Sequence, residues 1–480
     1  MRPPYLSRIF RPRGLCALAL ALALAAACLA SGCAVSPPYQ RPSAAEPAQY
    51  KEALYQEAPG WAAAAPADTL ERGPWWTLFK DPVLDQLAPA VEVSNQNVAA
   101  AAAGYEQARA LVREQRAALS PTLDVTAGAD RAGGRAAAGA GSSYRASLGA
   151  GWEPDIWGRL RAGVDSAGAN AQASAADLAA ARLAAQGELA VNYFSLRQTD
   201  AEQALLATTI VGYQRVLEIT QNRFNAGVAA KSDVLQAQTQ LANAQVDALD
   251  LGRQRARLEH AIAILLGKAP ADFTLVAGPW QAALPEMPTG LPSTLLQRRP
   301  DIAAAERRVA LANEQIGLAR AAYFPSLNLS ASYGGNASRV ADLFNASTSL
   351  WSVGAAAAQS LFNAGATTAG VDAARAGHAA AVARYRQTVL AAFADVEDQL
   401  AATGTLGAQQ GLRQSASQAA DQVETQMLNR YRAGQVGYSD VVAAQASALS
   451  ARRALVQSQG ARQNTAVALI QALGGGWHAP

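Results

Sequence analysis

The chain is 480 residues long, enough for two or three ordinary domains or for one large repeated architecture. Charged residues make up 16% of it, below the roughly 25% of ordinary soluble domains, and half of it is hydrophobic, much of that alanine. Alanine at this density favours long, closely packed helices without indicating membrane-spanning ones, and a net charge of +3 gives no electrostatic case for a nucleic-acid partner.

Residues 1–33 read as a processing signal rather than as structure. Arg2, Arg8, Arg11 and Arg13 form a basic start, Leu15 to Leu29 an apolar run, and Leu29-Ala30-Ser31-Gly32-Cys33 its end. Small residues before a cysteine resemble a bacterial lipobox, which predicts a signal peptide over 1–32 and a lipid on Cys33. The large aliphatic residue usual three places before the cysteine is Ala30 here, with Leu29 one place early; the alternative is an ordinary signal peptide with an incidental cysteine. Ala34 is not the aspartate that signals inner-membrane retention in bacterial lipoproteins. Cys16 and Cys28 lie inside the signal, so the mature chain keeps only Cys33 and forms no disulfide.

Residues 33–82 are proline-rich, with Trp61, Trp75 and Trp76, and read as an extended arm and linker. Asp81-Pro82 then opens a helix expected from Val83 to Leu119, with Leu84, Leu87, Val91, Val98 and Ala101 at near-helical spacing and Pro121 beyond its end. Alternation predicts strands at Thr122 to Ala127 and Tyr144 to Trp152, around a glycine-rich loop from Gly133 to Ser143. After Gly158 a proline-free helix of about 66 residues runs to Arg223, roughly 100 Å at 1.5 Å per residue. A tip from Arg223 to Val234, a helix to Leu266 and a proline-punctuated segment from Pro270 to Pro292 complete the first half.

The same programme then repeats. Arg299-Pro300-Asp301-Ile302 opens a helix ending at Phe324-Pro325, with strands at Leu327 to Tyr333 and Leu350 to Ala357. A long helix from Thr367 to Tyr431, a second tip from Arg430 to Val441 and a helix to Leu473 follow. Ala162-Gly163-Val164-Asp165 recurs as Ala369-Gly370-Val371-Asp372, Ser232-Asp233-Val234 as Ser439-Asp440-Val441, and Leu266-Gly267 as Leu473-Gly474, all about 207 residues apart. The chain is a tandem duplication, with repeats over 83–292 and 293–480. Each tip places an arginine in the last turn of one helix, a glycine past it and Ser-Asp opening the next helix.

The helices flanking each long one are expected at about 35 residues each, so that one continuous and one broken rod have equal length. Each repeat supplies two strands, and four strands leave two open edges. Leu327, Leu329 and Tyr333 face one way and Ser326, Asn328, Ser330 and Ser332 the other, as in an outer-membrane barrel wall with a wet lumen. The alternative is a small sheet packed on a soluble core. Lipidation and the edge problem favour a barrel shared between chains, and three chains give an ordinary even-numbered one.

These residues carry a resemblance. Trp75-Trp76 through Asp81-Pro82, Arg298-Arg299-Pro300-Asp301-Ile302, Phe324-Pro325-Ser326-Leu327, both tips and the terminal Ala472-Leu473-Gly474-Gly475-Gly476-Trp477 resemble a TolC-type outer-membrane efflux protein of the lipoprotein branch that includes OprM-like channels. The resemblance covers the mature chain. It implies a mainly α fold with a membrane β part: tandem-duplicated α-helical hairpins forming a trimeric α-barrel tunnel, a shared 12-stranded β-barrel and a mixed equatorial belt. It also implies a homotrimer in the outer membrane that extends into the periplasm, meeting a periplasmic adaptor (membrane fusion protein) and an inner-membrane RND-type transporter.

Asp233 and Asp440 read locally as first-turn residues that stabilise the helix dipole. In a trimer whose tips converge on one axis they contribute six carboxylates near one opening, able to attract cations. By resemblance, Asp233 matches a member of a closed-state bonding network, Tyr431 a tyrosine that bonds to it and Asp440 an acidic constriction position. The family's basic partner falls on Val436 and its second acidic position on Ala443, which predicts a weaker or more apolar constriction. Gly227 and Gly434 read as helix C-caps; with Ala226 and Ala433 they keep the tips small, and in the family such tips meet the adaptor. His260, His378 and His478 are isolated, and no nucleophile motif or phosphate loop is present, so a non-enzyme is expected, with no cofactor beyond the lipid on Cys33. The leading reading is an efflux conduit; a structural coiled-coil lipoprotein and a type I secretion exit duct are the alternatives, with a hydrolase a distant further one.

Overall fold

A computed structural model describes residues 35–44, 47, 50–52, 74–133, 141–285 and 299–475. Cys33 and the signal, Trp61, Pro292, Arg298, Trp477 and His478 lie outside the described residues. The chain divides into two compact units, each drawn from both repeats. One comprises residues 1–42, 106–172 and 306–383, and the other residues 43–105, 173–305 and 384–480.

The helix expected from Val83 to Leu119 is two helices. Asp81 opens α1 (Pro82–Ser94) by accepting from the Val83 and Leu84 amides at 2.9 and 3.1 Å, with Pro82 in the first turn, where its missing N–H costs nothing. The chain then breaks at Asn95, which is extended at φ −70° and ψ 125°. Asn95 Oδ1 accepts from the Asn97 and Val98 amides at 2.9 and 3.2 Å and so caps α2 (Gln96–Ala117). After the sheet strands β1 (Thr122–Ala132) and β2 (Gly141–Trp152) come α3 (Arg159–Asn225) and α4 (Lys231–Leu265). The second repeat gives α5 (Pro300–Ala321), β3 (Ser326–Ala337), β4 (Ser349–Ala358), α6 (Ala366–Arg432) and α7 (Tyr438–Ala472).

The break explains the repeat. The helices before the strands, α2 and α5, have 22 residues each, the long helices α3 and α6 have 67 each, and α4 and α7 have 35 each. The 35 residues expected before the strands therefore reduce to 22 in both repeats. In each repeat a side chain ties the end of the returning helix to the start of the strand-bound one. Asn95 Nδ2 donates to the Leu265 carbonyl at 3.0 Å, and Arg299 Nη1 donates to the Ala472 carbonyl at 3.2 Å. Both acceptors are last-turn carbonyls that lack intrahelical partners.

Around the first joint lies the main apolar core: Trp75, Trp76 and Phe79 pack with Leu84, Val91, Leu189, Phe194, Ile262 and Ile470. Tyr193 donates to Asp81 at 2.8 Å; burial, then its bond and proximity to Asp81, push this hydroxyl up to about 12 against the lowering effect of Arg197. The segment after α4 is held extended by side chains: Arg197 Nη1 donates to the Val276 carbonyl at 2.8 Å, and Gln463 Nε2 to the Gln281 carbonyl at 3.1 Å.

In the other unit the four strands form one antiparallel sheet in chain order. All four exceed their expected lengths. Beyond Ala127, β1 continues to Ala132; Ala129 keeps the apolar face and Arg131 ends it, while Asp130 on the other face pairs with Arg145 of β2 at 3.6 Å. β2 starts three residues earlier than Tyr144, within the expected loop. β3 runs through Gly334 and Gly335, where a Cβ on Gly334 would stand 2.3 Å from the Ala146 carbonyl oxygen, so the close pairing of β2 and β3 requires glycine there.

The register aligns one apolar face. Val125 opposes Leu148, Leu148 opposes Tyr333, and Tyr333 opposes Trp351. On the other face Thr126 bonds Ser147 and Ser332 bonds Ser352, each at 2.8 Å. The large residues of the apolar face remain open: Val125 is 79% exposed and Val353 77%. The outer edges of β1 and β4 have no partner strand among the described residues.

Candidate functional site

The two tips close in the same way. At the end of α3 the Gly227 amide donates to the Phe224 carbonyl and the Val228 amide to that of Arg223, both at 2.9 Å. At the end of α6 Gly434 donates to Tyr431 and Gln435 to Arg430, again at 2.9 Å. These paired bonds satisfy the last orphan carbonyls and require a left-handed residue, and both glycines supply it at φ +75° and +74°. Ala226, Gly227, Ala433 and Gly434 are all exposed, and no atom lies within 4 Å of where a Cβ on either glycine would stand.

The serine and aspartate after each glycine do not cap the next helix through their side chains. The N-cap of α4 is Ala230 and that of α7 is Gly437, neither with a side-chain bond, so Asp233 and Asp440 act on the first turn by charge alone. Asp233 is half-buried with Ser232 Oγ at 3.4 Å, and Asp440 is exposed.

Tyr431 makes no hydrogen bond to Asp233 among the described residues. It is buried, and its hydroxyl lies 3.3 Å from Thr220 Oγ1 in α3. Its ring meets that of Tyr438 at 5.4 Å between centroids, within a cluster of Val216, Ala237 and Val441. Val436, where the resemblance expects a basic residue, packs against this cluster, and Ala443 is exposed. The tips of one chain therefore meet through an aromatic and aliphatic contact.

One residue that joins the tips was absent from the expected site. Arg223 Nη1 donates to the Tyr431 carbonyl at 2.9 Å and to that of Arg432 at 3.4 Å, and its guanidinium carbon stands 4.6 Å from the centre of the Tyr431 ring. An arginine from the first hairpin thus caps the last turn of the second, adding a side-chain donor to the Tyr431 carbonyl that already accepts the Gly434 amide, at a helix end whose dipole favours a cation. Burial raises the Tyr438 hydroxyl above its ordinary range, reinforced by Tyr431, Tyr213 and the Asp233 carboxylate. Above the tips, Leu235, Thr239 and Asn243 of α4 and Ser439, Val442 and Ser450 of α7 line an open groove.

At the N-terminal arm, Ser36 lies against Gly317 of α5, where a Cβ would stand 2.0 Å from the Ser36 hydroxyl. Asn313 Nδ2 donates to the Pro37 carbonyl at 2.8 Å, and Tyr39 donates to Glu306. In the other unit the Lys51 and Glu52 amides donate to Glu397 of α6 at 2.7 and 2.9 Å.

Comparison with known proteins matches the outer membrane efflux protein family twice, over residues 87–268 and 291–475. The solvent efflux pump outer membrane protein SrpC of Pseudomonas putida is 33% identical over 453 residues, 93% of this chain and 96% of that protein. The pyoverdine export outer membrane protein OpmQ of Pseudomonas aeruginosa is 32% identical over 469 residues, 95% of this chain and 97% of that one. Among solved structures, the outer-membrane channel OprN superposes with a TM-score of 0.81 at 30% identity, covering 93% of this chain and 100% of that one.

Proposed function

The chain belongs to the outer membrane efflux protein family, and on that basis we propose that it is the outer-membrane channel of a tripartite efflux system. It receives substrate from an inner-membrane transporter through a periplasmic adaptor and conducts it out of the cell. The observation that carries this reading is the sheet: large apolar side chains exposed on one face, hydroxyls and glycines on the other, and two open edges. In water such a face is a liability, whereas in lipid it is the outer wall of a barrel. A coiled-coil spacer would have no use for it.

Closure of the barrel follows from the strand count. Backbone groups at an open edge have no partner in hydrocarbon, so the edges of β1 and β4 must be paired by neighbours. Three copies give twelve strands of 10 to 12 residues, long enough to cross a bilayer when tilted. A lipid on Cys33 fits the path of the arm. Ser36, three residues later, lies on Gly317 in the last turns of α5, close in sequence to the start of β3. The exposed alanine-glycine tips and the groove between α4 and α7 are the surfaces offered to the adaptor. This is a role of conduction rather than catalysis.

Conductance of the purified protein in a planar bilayer tests the reading. Discrete channels support it, and a protein that forms trimers yet passes no current overturns it.

A further inference from the structure

The duplication turns one contact into a rule for a second. Arg223 maps onto Arg430, and its acceptors Tyr431 and Arg432 map onto Phe224 and Asn225, all about 207 residues apart. Within the chain the first tip reaches the second. Its image, in which a second tip reaches a first tip, needs another copy of the chain.

The components of that image are present and unused. Arg430 is exposed, and its side chain has no partner among the described residues, whereas Arg223 is half-buried in its cap. The Phe224 carbonyl accepts the Gly227 amide and takes no side-chain donor among the described residues, although its counterpart on Tyr431 takes Arg223 as well. The apolar surroundings are duplicated too. Val216, 4% exposed beneath Tyr431, maps onto Val423, which is 45% exposed; Val442, packed on the same cluster, maps onto Leu235, which is 52% exposed.

We infer that Arg430 is the between-chain counterpart of Arg223: in a ring of copies, its guanidinium caps the end of α3 in the next chain at the Phe224 and Asn225 carbonyls. Val423 then covers the next chain's Phe224 and Leu235, as Val216 covers Tyr431 and Val442 within one chain. The contact runs head to tail, the arrangement that closes rings. The inference rests on the proposed ring and adds the residues that seal its narrow end. The two latches are unequal. Lys231 stands where Tyr438 would, already 5.3 Å from the centre of the Phe224 ring, and Met427 replaces Thr220. The between-chain latch therefore lacks the tyrosine pair and the hydroxyl contact and faces a second cation. It parts first when the tips open, and the two tips of each chain move together.

The test is a cysteine pair, Arg430→Cys with Asn225→Cys, treated in the purified full-length protein with a short bismaleimide. Single-cysteine variants report the background, including Cys33. Covalent dimers and trimers on a denaturing gel, absent from both single variants, are the expected result. Monomer only, in protein that glutaraldehyde still fixes as trimers, overturns the latch and leaves the ring standing. Monomer in both assays overturns the ring and the latch with it. Arg430→Ala should also raise the fraction of time the channel is open severalfold, with Arg430→Lys giving a smaller rise; no change in either overturns the sealing role.

Discussion

Arg223 holds Tyr431 twice, by a hydrogen bond to its carbonyl at 2.9 Å and by a guanidinium placed 4.6 Å from the centre of its ring. A charge-assisted bond contributes about 1.5–3 kcal/mol, and a cation over an aromatic ring about 0.5–1 kcal/mol at an exposed site and about 2 kcal/mol when desolvated. Replacing Arg223 by alanine should loosen the tips of a single chain. Planar-bilayer recordings are expected to show a larger or more frequently open channel while trimers persist. Arg223→Lys should recover only part of the effect, since an ammonium cannot both stack and bond in the plane of the fork.

Tyr438 gives the tips an alkaline limit. Its folded-state hydroxyl is raised by burial and by neighbouring acidic groups, so the neutral form is favoured in the fold. That stability is fully present below about pH 10, the ordinary tyrosine value, and is lost as the pH rises further. Melting temperature should fall more steeply between about pH 9 and 11 in the native protein than in Tyr438→Phe. Equal slopes would remove Tyr438 from the account.

Gly227 and Gly434 face open space, so a substitution there tests backbone conformation and surface separately. Alanine at either site costs about 1–2 kcal/mol through its left-handed backbone alone and should raise hydrogen exchange at that tip. A bulky residue at Gly434 adds an obstacle for any partner that approaches closely. Drug tolerance in cells is expected to be lost with trimers intact, and unchanged tolerance would refute the docking role.

Asp440 is exposed in the first turn of α7, unpaired among the described residues and unhindered by the apolar cluster behind it. Asp440→Asn should reduce cation over anion selectivity in single-channel recordings. Selectivity that does not move would show that no acidic ring governs the opening.

Gly317 is where Ser36 of the arm packs directly on α5, with no room for a side chain. Gly317→Leu should lift residues 35–42 from α5 without altering the sheet. Faster protease cleavage in the arm is the expected outcome, against unchanged cleavage for Ala319→Leu two residues on.

Much of this architecture was legible in the chain. The long helices begin and end within about two residues of where proline, glycine and repeat spacing put them, and the alternation from Leu327 to Tyr333 gave the correct faces of β3. The break at Asn95 was hidden inside an alanine-rich periodic run, because a cap depends on one side chain turning back on its own backbone. Its second partner, the Leu265 carbonyl, is 170 residues away. Arg223 was missed for a related reason. Its acceptors are backbone carbonyls, which leave no mark in sequence, so the arginine read only as a last-turn cation. Val436 was legible as a departure, and the cluster around Tyr431 and Tyr438 gives that departure a place to pack.

The outer edges of β1 and β4, unpaired among the described residues, also bear on gene dosage. If neither edge can enter lipid alone, insertion waits on the meeting of three copies, and the yield of finished channels should rise faster than the supply of chains when chains are scarce. Halving expression would then remove more than half of the pores. A cell carrying one defective copy that still associates would lose most of its channels, since a single faulty member spoils a whole ring.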